Sequence, residues 1–112
     1  MPYYVVSCTR KVNPRKLVDK PSEKVYVDGF FFKPEMKVKD IGVCEFTDNI
    51  GSAGVFTLKT ANRVLDKMRE RFVNVSEMDC HFYNDFHLER VVKYREDAFN
   101  MKTAIDAVEV NQ

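Results

Sequence analysis

The most regular pattern in this sequence lies in residues 57–72. Its apolar side chains recur at spacings of three and four, at Ala61, Val64, Leu65, Met68 and Phe72. On a helix of about 3.6 residues per turn, these spacings put the side chains on a single stripe. Thr57 stands directly before the pattern, where its hydroxyl is able to accept a hydrogen bond from a first-turn backbone amide. The sequence therefore predicts an amphipathic helix over residues 57–72 with its apolar stripe buried.

The other side of this predicted helix is positively charged. Basic residues recur at every fourth position, at Lys59, Arg63, Lys67 and Arg71. Each step of four residues advances by about 40° around the helix axis, so the four side chains form a slanting row, here called the basic ridge. The ridge is either a surface for phosphate or an acidic partner, or an ordinary solvated helix face. The sequence alone favours the solvated face.

Length and composition indicate one folded domain over residues 1–112. Hydrophobic residues make up 45% of the chain, which is too apolar for a disordered segment. No apolar run approaches the roughly 18 residues that a membrane-spanning helix needs, and the first residues lack the charge order of a secretory signal. The cysteines, Cys8, Cys44 and Cys80, show no C-x-x-C spacing and lie in strand-like surroundings. A cytoplasmic protein with three buried, reduced thiols is expected.

Residues 9–24 are predicted to form a long basic loop. The segment contains two prolines and no sustained hydrophobic period. Its candidate binding residues are Arg10, Lys11, Arg15 and Lys16. Positive charge dominates the first part of the chain and negative charge the last part, and such asymmetry steers charged partners. The loop is either a functional segment or one without a fixed structure.

Strand signals predict an antiparallel sheet. Residues 3–8, YYVVSC, are apolar on both alternating faces, which is typical of an interior strand covered on both sides. Asp28-Gly29, between two runs of strand formers, predicts a type I′ hairpin, because that turn requires positive φ at both central residues. Tyr26 and Phe31 pair on the outer face of this hairpin, where they are either buried or available to stack a base or contact a protein. Its inner face carries Val25, Val27, Phe30 and Phe32.

The rest of the chain completes an α+β prediction. Either one bent strand or two short strands, at residues 36–39 and 41–46, are expected. Residues 73–83 are predicted to form a strand with Cys80 and Phe82 inside and His81 and Tyr83 outside. Residues 84–95 fit either a strand or a helix capped by Asp85, and their two valines and Tyr94 favour a strand over 89–94. After residue 96, acidic residues and an apolar stripe predict a C-terminal helix over 96–110. The stripe consists of Ala98, Met101, Ala104, Ile105 and Val108. The predicted fold is a mainly antiparallel sheet of about five strands, with the 57–72 helix packed on it and the 96–110 helix beside it.

One group of polar residues, His81, Asp85, His87 and Glu89, resembles a metal or acid–base site. On a strand His87 and Glu89 share a face, but His81 and His87 would lie roughly 20 Å apart, too far to bind one ion. The four glycines form no phosphate-binding loop, and the chain has no G-x-S-x-G or H-E-x-x-H motif. We therefore predict no catalytic residue, no metal and no cofactor, and a protein without enzymatic activity.

The order of a short first strand, a hairpin and the segment EFTDNIGSAGVFTLKTANRVLDKM resembles many small orphan proteins encoded by bacteriophages. The resemblance covers residues 3–94 and identifies no functional residue. It implies a compact accessory protein that acts by binding a host enzyme, a defence component or a nucleic acid.

Two functions are expected from these observations. The leading one is a non-enzymatic protein-interaction or inhibitor module that acts on a host factor or defence component through charged and aromatic surface. The alternative is a nucleic-acid-binding module that uses the 10–24 loop, the basic ridge, Tyr26 and Phe31. A homodimer is left open, and no contact with a membrane is expected.

Overall fold

The computed structural model describes residues 2–12, 22–72 and 81–110. These form five strands and one α-helix: β1 (Tyr4–Val12), β2 (Glu23–Val27), β3 (Phe46–Thr47), α1 (Leu58–Arg71), β4 (His81–Glu96) and β5 (Lys102–Glu109). The strands lie in the order β3-β2-β1-β4-β5, and every neighbouring pair is antiparallel. The predicted α+β class, the five-stranded sheet and the amphipathic helix are confirmed.

β1 occupies the centre of the sheet and is shielded from water on both faces. Val5, Val6, Ser7 and Cys8 are each at most 1% exposed. The Ser7 hydroxyl donates a hydrogen bond to the Val25 carbonyl at 3.3 Å, so this buried polar group is satisfied. Burial raises the pKa of the Cys8 thiol to about 12, which keeps it neutral. The prediction of an interior strand at residues 3–8 is confirmed.

α1 covers one face of the sheet with the stripe that the sequence predicted. Ala61, Val64, Leu65 and Met68 are buried, and Phe72 follows at the end of the helix. The sheet residues of this cluster are Val6, Cys8, Val25, Val27, Phe46, Tyr83 and Phe86, and Phe32 and Ile41 join them from the loops. The Thr57 hydroxyl does not cap the helix as predicted. It donates to the Thr60 hydroxyl at 3.3 Å instead.

An irregular segment, and not a second helix, covers the opposite face. The second buried cluster consists of Val5, Ala53, Val91 and Ala104, with Tyr3, Tyr26, Ile50 and Val55 packed against it. The covering segment is residues 50–55. It contains one turn of 3-10 helix at Ile50–Ser52, where the Asn49 side chain accepts a hydrogen bond from the Gly51 amide at 2.9 Å. Because the segment is short, it leaves the outer part of the sheet exposed.

The predicted C-terminal helix over residues 96–110 is wrong, because this region ends β4, turns and returns as β5. At the turn Asn100 takes a left-handed conformation with a φ of 62°, which reverses the chain. β5 then pairs with β4, and the pairing is irregular between Ala104 and Asp106. Ala104 and Ala107 therefore both face the second cluster, although they are three positions apart in the sequence. In the sequence, this spacing imitates a helical stripe.

The predicted hairpin at Asp28-Gly29 is also wrong. No glycine in the described residues has positive φ, so a type I′ turn does not form, and β2 pairs with β1 and β3. After β2 the chain turns, and the Phe32 amide donates to the Asp28 carbonyl at 3.0 Å. Phe32 enters the core, whereas Phe30 and Phe31 are exposed. Phe30 therefore does not belong to the buried inner face that the sequence predicted.

Residues 36–46 form two turns of 3-10 helix, at Val38–Asp40 and Val43–Glu45, and the two predicted strands are wrong apart from the start of β3. The basic ridge explains the difference. Lys67 donates to the carbonyl oxygens of Pro34 and Met36, and Arg71 donates to that of Ile41 at 2.9 Å. These carbonyl oxygens therefore accept hydrogen bonds from side chains of the helix and not from the backbone of a neighbouring strand. In the same region Cys44 is exposed, contrary to the prediction of a buried thiol.

β4 contains the strand predicted at residues 89–94, but its first half departs from the predicted alternation. Tyr83, expected outside, is buried, whereas Phe82, expected inside, is only half-buried. Asp85 has a positive φ of 58°, and the pairing with β1 is irregular at the same place. Such a bulge changes which side chains face the core. Cys80 and the side chain of His81 lie outside the described residues.

The strands extend into the loop that was predicted over residues 9–24. Arg10 and Lys11 belong to β1, and Arg10 forms an ion pair with Glu23 of β2. Arg15 and Lys16 lie outside the described residues. Within the ranges described, no helix is long and apolar enough to cross a membrane.

The intramolecular role of the basic ridge leads to a first prediction. Replacing Lys67 by Met removes the donor to two backbone carbonyls, so we expect the free energy of unfolding to fall by about 1–3 kcal/mol. Lys59→Met is the matched control, because Lys59 is exposed on the same ridge, and it should change that free energy by less than about 0.5 kcal/mol. Urea unfolding followed by circular dichroism measures both values. Equal stability of the two variants would contradict this role of the ridge.

Candidate functional site

A groove of about 810 Å³ opens where three segments of the chain meet. Residues 28–34, the turn after β2, form one wall, and residues 51–57, which lead into α1, form another. Residues 100–103, at the start of β5, complete it together with Tyr3. Phe30, Phe31 and Met101 line this groove and are exposed. This combination of a concave surface and exposed apolar side chains makes the groove the candidate site.

Asp28 fixes the turn that presents two phenylalanines. Its carboxylate accepts hydrogen bonds from the amides of Phe30 and Phe31 at 2.7 and 3.2 Å. A carboxylate that accepts hydrogen bonds from two backbone amides holds a turn in one conformation. The Phe30 side chain is 78% exposed and that of Phe31 53%, and the two rings meet edge to face with 5.1 Å between their centroids. The Asp28 turn thus keeps two large apolar rings exposed to solvent.

A second aspartate turn forms another wall of the groove. The Asp97 carboxylate accepts hydrogen bonds from the amides of Phe99 and Met101 at 2.8 and 2.9 Å. Met101 is 65% exposed and lines the groove, and Phe99, beside it in the chain, is 86% exposed. The sequence placed Met101 on the buried stripe of a helix and therefore missed it. An aspartate two residues before an apolar residue was the available signal for such a turn.

The floor of the groove is attached to the sheet by its backbone. The Gly54 amide donates to the Val27 carbonyl at 2.9 Å, and Tyr4 and Phe56 exchange two backbone hydrogen bonds of 2.8 Å. A β-carbon at Gly29 would lie only 2.8 Å from the Gly54 α-carbon, so these two backbones approach as closely as glycine allows. The groove is therefore formed by the fold before any partner binds.

Lysines supply the charge around the groove. The Asp28 carboxylate is engaged by backbone amides, whereas Lys33 is exposed. The Lys102 ammonium lies 4.8 Å from the centroid of the Tyr3 ring and 3.4 Å from the Glu96 carboxylate. Desolvation lowers the pKa of Lys102, but its contacts with Tyr3 and Glu96 raise that pKa more, so the ammonium stays charged. Lys102 is therefore paired within the chain, and among the described lining residues the exposed Lys33 is the ammonium left for an acidic group of a partner.

The predicted binding residues do not meet at one site. Phe31 lines the groove, whereas Tyr26 packs on the second cluster, so the predicted pairing of these two rings does not form. Lys67 and Arg71 bind backbone carbonyls. Among the described residues, the predicted basic binding residues that are exposed are Lys11, Lys59 and Arg63.

The buried Glu89 carboxylate contacts two partly exposed side chains, Lys24 and His87, on the second face of the sheet. Its Oε2 atom lies 2.6 Å from the Lys24 ammonium and 3.0 Å from Nε2 of His87, so the prediction that His87 and Glu89 share a face is confirmed. Burial lowers the pKa of Lys24, whereas its hydrogen bond with Glu89 and the charge of Glu89 raise that pKa more. Lys24 is therefore charged at neutral pH, and the pair stabilises the sheet until the pH rises above the ordinary lysine range.

None of these three residues lines the groove. The described residues also contain no group of three or more His, Cys, Asp or Glu side chains suited to a metal ion. Lys24, His87 and Glu89 therefore form a charged group apart from the groove.

The chain matches no family model, no curated protein and no solved structure.

The close approach at the floor leads to a second prediction. Gly29→Ala should lower the free energy of unfolding by about 1–3 kcal/mol, because the added methyl group meets the Gly54 backbone. Gly42→Ala is the control, since the nearest atom to a β-carbon there is a Glu45 side-chain oxygen at 3.4 Å, and it should change stability by less than about 0.5 kcal/mol. Chemical unfolding measures both. A Gly29→Ala protein as stable as the wild type would contradict the geometry of the floor.

Proposed function

We propose that this chain is a non-enzymatic protein-binding module that receives an apolar side chain of its partner in the groove. The observation that carries the proposal is the exposed cluster of Phe30, Phe31 and Met101 around a cavity that the fold already forms. Large apolar side chains grouped around a concave surface are typical of interaction sites.

Burial of these side chains supplies the driving force for binding. Each Å² of apolar surface removed from water contributes about 25 cal/mol. Aromatic residues are enriched among the residues that dominate binding energy, and a methionine adapts its shape to a partner. The turns at Asp28 and Asp97 hold the backbone of these side chains in advance, so less conformational entropy is lost on binding.

The charge around the groove narrows the chemistry of the partner. Lys33 lines the groove and is exposed, whereas the Lys102 ammonium is paired with the Glu96 carboxylate at 3.4 Å. We therefore expect a partner segment that places a bulky apolar residue in the groove and an acidic residue beside it. By covering a surface of that partner, the module acts as an inhibitor. A host enzyme or a defence component in the cytoplasm fits both the phage-protein resemblance and the free thiols of Cys8 and Cys44.

A nucleic acid fits the described surface less well. Stacking on Phe30 and Phe31 requires basic residues that follow the backbone of the strand. Two members of the basic ridge, Lys67 and Arg71, are instead bound to backbone carbonyls. Lys59 and Arg63 are then the ridge residues left for phosphate, and this favours a protein partner.

The third prediction tests the groove with a double variant, Phe30→Ser with Phe31→Ser. Val43→Ser is the matched control, because Val43 is 42% exposed but does not line the groove. Proteins captured by the wild-type chain from its native host are identified and purified, and their affinity for each variant is measured by calorimetry. We expect Val43→Ser to bind like the wild type and the double variant to bind about thirtyfold more weakly, as for loss of a binding hot spot.

Two outcomes would overturn the proposal. One is a purified partner that binds the double variant as tightly as the wild type. The other is single-stranded oligonucleotide binding that weakens steeply with salt and is lost in the double variant, without any protein partner. That result would assign the phenylalanines to nucleic acid.

A further inference from the structure

The outer edge of β5 is a second surface, separate in function from the groove. β5 pairs with β4 on one side and ends the sheet on the other, so no described strand covers its outer edge. It is eight residues long, whereas the strand at the opposite edge of the sheet, β3, has two. A long uncovered edge presents backbone amides and carbonyls that are ready to pair with another strand.

The direction of these backbone groups follows from the two ends of β5. The Met101 carbonyl accepts from the Asp97 amide at 3.0 Å, and the Val110 amide donates to the Leu88 carbonyl at 3.4 Å, so residues 101 and 110 point toward β4. In an antiparallel strand, successive residues point to opposite sides. Residues 102 and 104 at one end, and 107 and 109 at the other, therefore point outward. The alternation at one end of β5 is therefore shifted by one residue relative to the other end. The irregular pairing between Ala104 and Asp106 accommodates this shift.

The outward-pointing residues of β5, at positions 102, 104, 107 and 109, are placed symmetrically about the point between Ile105 and Asp106. In an antiparallel pair with a second β5 about that point, Lys102 lies opposite Glu109 and Ala104 lies opposite Ala107. All four are outward-pointing residues, so each pair is able to exchange backbone hydrogen bonds. Ala104, Ala107 and Lys102 also share one face of the sheet, because the two alanines pack on the second cluster and Lys102 lies over Tyr3. The edge is therefore complementary to itself in charge and backbone direction.

Two features oppose this pairing. Lys102 already forms an ion pair with Glu96 of its own chain at 3.4 Å, and the Asp106 side chain occupies a backbone amide of the edge. The Asp106 carboxylate accepts a hydrogen bond from the Ala107 amide at 2.9 Å. In the pair described above, that amide donates instead to the Ala104 carbonyl of the second copy. The two Asp106 carboxylates would also approach each other near the twofold axis, and like charges repel. Charged side chains and bulges are common means by which proteins restrain free edges.

We propose that the outer edge of β5 is a homodimer interface, in which β5 pairs with β5 of a second copy, and that Asp106 restrains this association. The proposal does not depend on the proposed function of the groove. Lys102 and Thr103 also line the groove, but Asp106, Ala107 and Glu109 do not, so the Asp106→Ala and Glu109→Lys variants test the edge without changing the groove.

The fourth prediction tests the register by mixing charge variants, all in the Asp106→Ala background. Alone, Lys102→Glu places two carboxylates opposite each other, and Glu109→Lys places two ammonium groups opposite each other, so each variant should repel itself. In an equimolar mixture both contacts become attractive, and a heterodimer should form. Sedimentation velocity at low salt, over a series of concentrations, measures the association. We expect Asp106→Ala itself to associate roughly tenfold more tightly than the wild type, since an opposing charge is removed.

The controls make the outcome decisive. Asp66→Ala removes an exposed carboxylate from α1 and should leave the association unchanged. If Lys102→Glu disturbs the packing on Tyr3, Glu109→Lys alone still tests the interface, because it must weaken the Asp106→Ala dimer. A mixture that associates no better than its separate components overturns the proposal. Equal association of every variant does so as well, since it would place the contact on another surface.

Discussion

The structure depends on the exclusion of water from both faces of β1. Four consecutive residues, Val5 to Cys8, have almost no exposure, so the chain has to supply a cover on each side of the sheet. α1 supplies one cover with a regular apolar stripe. The irregular segment around Ala53 supplies the other, and it is held to β1 and β2 by backbone hydrogen bonds at Phe56 and Gly54. The groove arises where this second cover meets the turn after β2, so the candidate site is a consequence of burying β1.

Local patterns in the sequence predict the elements that are regular throughout. The stripe of α1 and the two-sided apolar run of β1 are both confirmed, because helical and buried-strand periodicities persist over their whole length. The predictions fail where a bulge interrupts the period. The bulge at Asp85 changes which side chains of β4 face the core. The irregular pairing near Asp106 puts Ala104 and Ala107 on one face of the sheet at a spacing of three, which is typical of a helix. A bulge is set by pairing with a distant strand, which a local pattern does not contain.

The candidate site was predictable only in part for the same reason. Phe31 stood out as an aromatic residue on the outer face of the predicted hairpin, but the groove also needs Met101 and the backbone at Gly54, from segments far apart in the chain. The Asp28-Gly29 dipeptide marked a turn correctly and its type wrongly, because the Asp28 carboxylate organises the following amides without positive φ. In the sequence, the basic ridge fitted either a binding surface or a solvated helix face. In the fold, Lys67 and Arg71 bind the backbone carbonyls of Pro34, Met36 and Ile41.

The central claim is that the groove is a rigid part of the sheet that buries β1. Native-state hydrogen exchange tests it most directly, by comparing the amides of Gly54 and Phe56 at the floor with those of Val5 and Val6 in the central strand. If the claim holds, all four exchange with the same opening free energy, equal to that of global unfolding. Exchange of Gly54 and Phe56 through a low-energy local opening, while Val5 and Val6 remain protected, would contradict it.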